Sequence, residues 1–356
     1  MEIYNSSHRV VLALSLLCLL LALAQTTAGP AAAPATSGQR DLTFIVVSDT
    51  HYGLGGAEGD RVRTELVDEM NGLPGTSYPI SLGGKVGKPR GVLHCGDITN
   101  DGNKEQWDAF VKDYGLSGGD GRLHYPVYET FGNHDGGPTS PIRQGIRQRN
   151  TRRVGLAAIS TNGLHYGWDW DGFFFVSLGV APGSTTHPYD PEYSMEFLEE
   201  VLQKHVNKAE PLILFHHFGF ESHSLDWWSD ERRIQYDDLI KDQNVMAIIH
   251  GHAHIPLIYQ WNGIDVYHPP HFRQQVPGNG PKNTGPVTHG FFVFHITDDE
   301  LTVAERRADG TWGMTARKSI KKDAPNDNTI MGNQLNIVHD EKAHAAGCGI
   351  LKTDWQ

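Results

Sequence analysis

Five short groups of metal-binding residue types stand along the middle of the chain, and each group directly follows a short apolar run. In chain order the groups are Asp49-Thr50-His51, Gly96-Asp97, Gly132-Asn133-His134-Asp135, His216-His217 and Gly251-His252-Ala253-His254. Together they offer carboxylates, an amide oxygen and several imidazoles, without a thiolate. Because such mixed oxygen and nitrogen ligands suit Zn, Fe or Mn, the sequence predicts a metal site assembled from distant segments.

Each group by itself also has an ordinary structural explanation. An aspartate at a strand end, such as Asp49 or Asp97, is often a helix N-cap or a turn residue. The Gly-Asn-His-Asp group could be a turn, and the adjacent histidines could be one core residue and one exposed residue. The occurrence of all five groups, in order and at strand ends, favours a metal site over five independent turns.

The elements that must position these groups alternate between strands and helices. Apolar runs at 42–47, 91–95, 127–131, 212–215 and 245–249 are typical of strands buried on both faces. Helical patterns occupy 58–73, 104–114, 192–208 and 230–241. This alternation predicts an α/β fold, in which ligands bind at the carboxyl ends of the strands. Since residues i and i+2 of a strand share a face, we expect Asp49 with His51, and His252 with His254, to converge.

The last third of the chain has a different pattern. Residues 256–268, 290–296 and 300–306 look like strands with no helices between them, and Asn262-Gly263 and Asp309-Gly310 suit hairpin turns. We therefore expect a second, largely antiparallel sheet there. Residues 136–163 read as a long irregular loop that is rich in arginine. Such loops are often functional.

The amino terminus has the pattern of a secretory signal. An apolar run at 10–24 follows His8 and Arg9 and ends in the A-x-A pattern Ala22-Leu23-Ala24, although a retained membrane anchor is the alternative. We predict a signal peptide at 1–24, a flexible leader at 25–40, a catalytic domain at 41–318 and a tail at 319–356. The mature chain would keep only Cys95 and Cys348, too few for a disulfide framework, and their pairing is left open.

Composition restricts the partners. The formal net charge is −12, which argues against electrostatic binding of a nucleic-acid polymer over an extended surface. It does not exclude a small phosphate ester, because bound cations can dominate the local field of a site. After signal cleavage no stable membrane span is expected, and the oligomeric state is left open.

The five groups together resemble the calcineurin-like metallophosphoesterases, whose motifs run D-x-H, G-D, G-N-H-[DE], H and G-H-x-H. The resemblance covers roughly 42–268. It implies a four-layer sandwich in which helices flank two mixed sheets. Purple acid phosphatases are set aside, because Asn100 stands where they carry a tyrosine ligand.

The resemblance also implies residue roles. The first metal would be held by Asp49, His51, Asp97 and His254. The second would be held by Asp97, Asn133, His216 and His252. Of the histidine pair, His216 is favoured as the ligand because it directly follows the strand, which leaves His217 to face the substrate. His134 would contact the phosphate or protonate the leaving group, and Asp135 would orient the His134 ring.

The function implied is a secreted phosphoesterase with two Fe, Zn or Mn ions, in which a metal-bridging hydroxide attacks a phosphomonoester or phosphodiester. A narrower alternative is a phosphodiesterase acting on a lipid or cyclic-nucleotide head group. An alternative of another class is a catalytically silent metal-binding module. Besides His217, the substrate-binding candidates are Arg143, whose guanidinium suits phosphate, and Trp227, whose ring could stack on a base, ring or lipid chain.

Overall fold

A computed structural model of the chain describes residues 40–183, 193–225, 227–271 and 289–320, with the short backbone stretches 329–331, 337–338 and 350–351. The predicted signal peptide, nearly all of the leader, most of the tail and Cys348 lie outside these residues. In the part that the structure covers, none of the helices combines the length and apolar character that crossing a membrane requires. Cys95 is a buried free thiol.

Strands and short helices alternate through the first two thirds of the chain. The strands are β1 Asp41–Val47, β2 Val92–Cys95, β3 Val127–Thr130, β4 Leu156–Ile159, β5 Tyr166–Trp170, β6 Phe173–Ser177, β7 Leu212–Phe215, β8 Val245–Ile249, β9 Leu257–Trp261, β10 Ile264–His268, β11 Gly290–Thr297, β12 Glu300–Arg307, β13 Trp312–Ser319, β14 Thr329–Met331, β15 Ile337–Val338 and β16 Ile350–Leu351. The α-helices are α1 Gly56–Gly72, α2 Lys104–Asp113, α3 Pro141–Asn150, α4 Ser194–Lys204, α5 Ser222–Leu225 and α6 Asp230–Ile240, and a 3-10 turn spans Asn133–Asp135.

Most of the strands form two mixed sheets of seven strands each. Sheet A has the order β14-β13-β12-β11-β1-β2-β3, and sheet B has the order β4-β5-β6-β7-β8-β10-β9. Strands β1, β2 and β3 are parallel neighbours in sheet A, and β6, β7 and β8 are parallel neighbours in sheet B. The carboxyl ends of neighbouring parallel strands lie along one edge of a sheet, which is where the five groups of polar residues stand.

Alternation along the strands explains the layers. In β1, Phe44 joins a buried cluster with residues of sheet B, and its ring lies 5.4 Å from that of Phe175 on β6. The neighbouring residue Ile45 instead belongs to the cluster that contains Leu66 of α1 and Phe110 of α2. Each sheet therefore has one face against the other sheet and one face against helices. This confirms the predicted α/β sandwich of two mixed sheets with flanking helices.

Two expectations about local structure are wrong. The late strands do not form a sheet of their own, because β10 pairs with β8 in sheet B while β11 pairs with β1 in sheet A. Hairpin signals identify local pairing but do not specify which sheet edge the hairpin joins.

The 136–163 stretch is not an irregular loop throughout, because it contains α3. The start of this helix carried readable signals: Ser140 caps it by accepting from Arg143 N, and Pro141 is its first residue. Strands β5 and β6 were also missed, although Asp171-Gly172 separates two aromatic runs as a hairpin turn would.

One buried ion-pair network ties α3 to the end of β3. The Glu129 carboxylate is buried and accepts from Arg149 Nε at 2.9 Å and from Arg153 Nη2 at 3.0 Å. Burial alone would raise the pKa of Glu129, but the two guanidinium groups outweigh it and lower that pKa. These arginines, which the sequence places in an irregular loop, therefore stabilise the segment that leads into Gly132-Asn133-His134-Asp135.

We expect Glu129→Gln to lower the free energy of unfolding at pH 7 by about 3–5 kcal/mol, because two buried guanidinium groups would lose their counterion. The lowered pKa means that the contribution is present above the unfolded pKa of Glu, about 4.3, and is lost as pH falls through the folded value. Urea unfolding at pH 7 and at pH 3.5 measures both effects. Glu200→Gln, at an exposed pair with Lys204, is the control and should change little. An equally stable Glu129→Gln protein would contradict the assignment.

Candidate metal centre

The polar groups from the two sheets meet at one place. Asp49, Asp97 and Asn133 follow β1, β2 and β3 of sheet A, whereas His217 and His252 follow β7 and β8 of sheet B. Direct bonds join the two sets across the sandwich: His252 N donates to Asp49 Oδ2 at 3.0 Å, and the His217 ring Nδ1 donates to the Cys95 carbonyl at 2.8 Å. The site therefore lies where the strand ends of both sheets come together.

The backbone at this place is unusual. Five non-glycine residues of the polar groups have positive φ, namely Asp49 at 54°, His51 at 39°, Asp97 at 49°, His252 at 76° and His254 at 57°. Such a conformation costs about 1–3 kcal/mol per residue and persists only where the surroundings impose it. The side chains converge through these left-handed turns. The expectation that they would share one face of an extended strand is wrong, because β1 and β8 end before them.

The first cluster brings together Asp49, His51, Asp97 and His254. Its imidazole nitrogens face each other, with His51 Nε2 at 3.2 Å from His254 Nε2. His254 Nε2 also lies 3.2 Å from Asp49 Oδ1, and His51 Nε2 lies 3.6 Å from Asp97 Oδ2. The donor atoms thus surround a common point, as ligands of one ion would.

The second cluster brings together Asp97, His217 and His252. His217 Nε2 lies 3.3 Å from Asp97 Oδ1 and 3.1 Å from Asn133 Oδ1, so Asn133 joins this cluster through its amide oxygen. Asp97 therefore belongs to both clusters, one carboxylate oxygen toward each. Among the described side chains its buried Oδ2 atom has no hydrogen-bond partner, and a bound cation would supply the missing compensation. The residues present fit a binuclear metal site.

In the second cluster, Asp97 and His217 shift each other's pKa. Burial alone would lower the pKa of His217, but the carboxylate of Asp97 outweighs it and raises that pKa to about 9. Burial would likewise raise the pKa of Asp97, yet His217 holds it below its usual range. The negative charge of Asp97 thus favours a proton on the His217 imidazole. Metal binding would displace that proton, so metal affinity should depend on pH.

The two adjacent histidines have positions opposite to those expected. The ring of His216 is buried, donates from Nδ1 to the Phe218 carbonyl at 2.7 Å, and packs 5.4 Å from the ring of Trp228. Burial lowers the pKa of His216 to about 3. His217 alone of the pair reaches the clusters. Consecutive residues leave a strand toward opposite sides, so the first histidine after β7 faces the helix layer and the second faces the site.

A model of the calcineurin-like phosphoesterases matches residues 42–256. The chain belongs to the calcineurin-like phosphoesterase family. Two of its residue clusters could hold metal ions, and family membership makes it a metal-dependent phosphoester hydrolase. No curated protein sequence matches the chain.

Solved structures share the fold of this phosphoesterase at low sequence identity. A dimetal phosphatase of Danio rerio aligns with a TM-score of 0.51 and 14% identity, covering 75% of this chain and 96% of that chain. GAP50 of Plasmodium, the anchor in the inner membrane complex, aligns with a TM-score of 0.53 and 15% identity, covering 79% of this chain and 90% of that chain. At such identity the likeness establishes the fold alone.

His134 lies beside the two clusters of candidate metal ligands in the phosphoesterase. Its ring is 4.8 Å from the ring of His51, and its Nδ1 donates to the carbonyl of Asn100 at 2.8 Å. Its backbone N–H donates to Asp97 Oδ1 at 2.8 Å. The sequence did not indicate Asn100, because the group it offers is a backbone carbonyl that any residue carries.

Asp135 does not orient His134, and that expectation is wrong. Its buried carboxylate accepts from the backbone N–H groups of Ile98, Thr99 and Gly132 at 3.1, 2.8 and 2.8 Å, and also from the Thr99 hydroxyl. Burial, followed by the nearby Asp97 charge, raises the pKa of Asp135 to about 6. Asp135 thus joins the loop after β2 to the loop after β3 in the phosphoesterase.

Of the remaining substrate candidates, one is buried and one is exposed. Arg143 is fully buried, with its guanidinium carbon 4.3 Å from the centre of the Phe131 ring, so the expectation that its guanidinium binds the substrate phosphate is wrong. Trp227 is 36% exposed, and its ring centre lies 4.8 Å from that of His252 and 5.6 Å from that of Phe218. The phosphoesterase therefore has an exposed aromatic surface directly beside its second cluster.

Paired substitutions test the two histidines of the phosphoesterase. We expect His217→Gln to bind at least about tenfold less of the second ion at limiting metal, since it removes an imidazole ligand. We expect His216→Gln to keep both ions but to unfold more easily, because it disturbs an aromatic core. Metal analysis after gel filtration, with thermal unfolding in parallel, gives both readouts. Loss of metal in His216→Gln with full loading in His217→Gln would reverse the assignment.

Proposed function

We propose that the chain is a secreted phosphoesterase that holds two ions of Fe, Zn or Mn and hydrolyses a phosphomonoester or phosphodiester. The observation that carries this proposal is the position of Asp97, one buried carboxylate common to two clusters of ligands. Two such ions would, when bound, supply positive charge to the phosphate oxygens and lower the pKa of a bound water. The apolar run at 10–24 and the small residues after it support secretion.

The proposed ligands follow the two clusters. Asp49, His51, Asp97 and His254 would hold the first ion. Asp97, Asn133, His217 and His252 would hold the second ion. The carboxylates bring negative charge to a buried site, and the neutral imidazoles and the amide oxygen complete the two sets. Compared with the sequence-based expectation, only one ligand changes, with His217 in the place of His216.

His134 is the proposed transition-state residue. Since its Nδ1 donates to the Asn100 carbonyl, its Nε2 is the nitrogen available to a substrate. A protonated Nε2 could donate to a phosphate oxygen or pass its proton to the leaving oxygen, and either action lowers the barrier. The Asn100 carbonyl keeps one proton on Nδ1, so the second proton, which the cationic ring carries, is held at Nε2 and leaves from there.

Trp227 is proposed to contact the leaving group. Its exposed ring beside His252 offers a flat apolar surface to a base or aryl ring.

We expect Trp227→Leu to raise KM for nucleotide or aryl esters by about two- to tenfold, with little change for glycerol phosphate, because stacking contributes about 0.5–1.5 kcal/mol. Steady-state kinetics on the two ester classes measures this difference. An equal change for both classes would contradict a stacking role.

A substrate panel tests the function as a whole. The secreted, mature chain is loaded with Mn²⁺, Zn²⁺ or Fe²⁺ and assayed on phosphomonoesters, bis-esters, cyclic nucleotides, phosphoinositides and choline phospholipids. Hydrolysis that disappears in Asp97→Asn assigns the activity to this site, and preference for cyclic nucleotides or lipids would support the narrower alternative. Two bound ions without turnover of any ester would support the silent binding module. Secretion is tested by recovering the expressed protein from the culture medium and determining whether its amino-terminal residue follows Ala24.

A further inference from the structure

The Gly251-His252-Ala253 segment forms a very tight turn. Ala253 N–H donates to the Gly251 carbonyl two residues back, at 3.0 Å, and His252 between them has a φ of 76°. A hydrogen bond from i to i+2 around a φ near +75° is the rare and strained form of the γ-turn. Such a turn persists only where neighbouring groups hold it. Because His252 and His254 stand in and directly after the turn, its shape decides where both rings lie.

His268 holds the exit of this turn. Its Nε2 accepts from Ala253 N–H at 3.0 Å, so that this one N–H is shared between the Gly251 carbonyl and the His268 ring, and the His268 Nδ1 donates to the Pro269 carbonyl at 2.7 Å. These two bonds require one neutral tautomer, with the proton on Nδ1 and the lone pair toward Ala253. The His268 ring is fully buried at the end of β10.

His250 holds the entry of the turn. Its Nδ1 donates to the Gly251 carbonyl at 2.8 Å, so its Nε2 accepts from the Tyr259 hydroxyl at 2.8 Å. That hydroxyl accepts in turn from Phe220 N–H at 3.0 Å, which connects the turn with the loop that carries His217. The rings of His250 and His268 are both buried and lie 4.9 Å apart. Neither histidine is part of the two ligand clusters.

We propose that His268 and His250 are positioning residues that hold the strained turn at His252 and thereby place the His252 and His254 rings for metal binding. The inference rests on the proposed function, since it concerns the ligands of that same site. His268 acts by accepting from Ala253 N–H, and His250 acts by donating to the Gly251 carbonyl while Tyr259 fixes its tautomer. The two bonds hold the turn at both of its ends.

Two substitutions of His268 separate hydrogen bonding from packing. His268→Leu fills a similar volume but offers no acceptor, whereas His268→Gln offers an amide oxygen. We expect His268→Leu to bind Mn²⁺ about 10- to 100-fold more weakly, with kcat reduced and KM little changed, as is usual when a partner of a metal ligand is lost. We expect His268→Gln to restore most of the affinity. Titration with Mn²⁺ alone, kcat and KM on the best ester of the panel, and thermal unfolding are measured for each.

Tyr259→Phe provides a milder variant that removes only a hydroxyl, for use if His268→Leu does not fold. We expect it to weaken Mn²⁺ binding by about three- to tenfold, because His250 loses the donor that fixes its tautomer. Tyr236→Phe is the matched control, a buried tyrosine whose ring lies 5.6 Å from the ring of His216, and it should bind Mn²⁺ as the wild type does.

The outcomes distinguish this inference from the proposed function. If the wild type binds two ions and turns over an ester while Tyr259→Phe and folded His268 variants match it, the positioning roles are wrong. If His268→Gln is as impaired as His268→Leu, the accepted hydrogen bond is not the cause. If the wild type itself binds no metal and hydrolyses nothing, the proposed function has failed instead.

Discussion

Asp97→Asn is expected to lose both bound ions and turnover together, because one carboxylate serves both ligand clusters. Each ion is worth several kcal/mol of charge stabilisation, and 1.36 kcal/mol is a factor of ten in rate, so we expect turnover to fall by at least about 10³-fold. Metal content per chain after gel filtration and kcat under saturating metal measure the two losses.

The choice of asparagine for Asp97 follows from its backbone. Asp97 has a φ of 49°, a conformation that asparagine adopts more readily than alanine does, so Asp97→Asn separates loss of charge from backbone strain. The amide oxygen can also keep accepting from His134 N–H. Asp108→Asn, at an exposed carboxylate paired with Lys104 on α2, is the control and should keep both ions and full activity. Two ions and full turnover in Asp97→Asn would refute the shared carboxylate.

His134→Ala is expected to keep both ions and to lose about 10²- to 10⁴-fold in kcat, the usual contribution of a positioned proton donor. The ring of His134 is outside both ligand clusters, and its Nδ1 is engaged by the Asn100 carbonyl. Its removal should therefore leave the ligands in place. Metal analysis and kcat on one good substrate establish the two parts of this result.

The leaving group distinguishes the two actions proposed for His134. If its Nε2 protonates the leaving oxygen, the loss in His134→Ala should be large for alkyl esters and small for aryl esters, whose leaving oxygens are stable without a proton. If its Nε2 stabilises a phosphate oxygen, both ester classes should lose activity equally. Loss of metal from His134→Ala would show instead that the residue supports the ligands.

The sequence predicted the strands well where a buried apolar run ended in a polar turn. Predicted strand 245–249 has the bounds of β8, and predicted strand 42–47 differs from β1 by one residue. Most residues of the two clusters were also predicted, with His217 in the place of His216, because their types and order depend on chemistry rather than on packing. The order of the sheets was not predicted, since an antiparallel hairpin pairs locally wherever it is placed.

Orientation was the least predictable property of the site. Whether His216 or His217 pointed into the site depended on how the chain turns after β7, and the residue types do not indicate this turn. Arg143 was a substrate-binding candidate because its guanidinium suits phosphate, whereas the helix that begins at Pro141 buries it. Asp135 was assigned to its neighbour His134, yet its carboxylate bonds to backbone groups of two loops. The partners in the loop after β2, Ile98 and Thr99, are set by tertiary contacts and not by proximity in sequence.

The division of the ligands between sheet A and sheet B has a consequence for the stability of the whole chain. Metal ions would be bound by residues of both sheet A and sheet B, which otherwise contact each other mainly through apolar side chains. Separation of the two sheets on unfolding would therefore require release of the ions. A ligand that binds only the folded state stabilises it in proportion to the logarithm of its free concentration, about 2.7 kcal/mol at 100 times Kd. The melting temperature should therefore rise steadily with free metal and fall with a chelator. In this protein the catalytic ions would act also as cross-links of the fold.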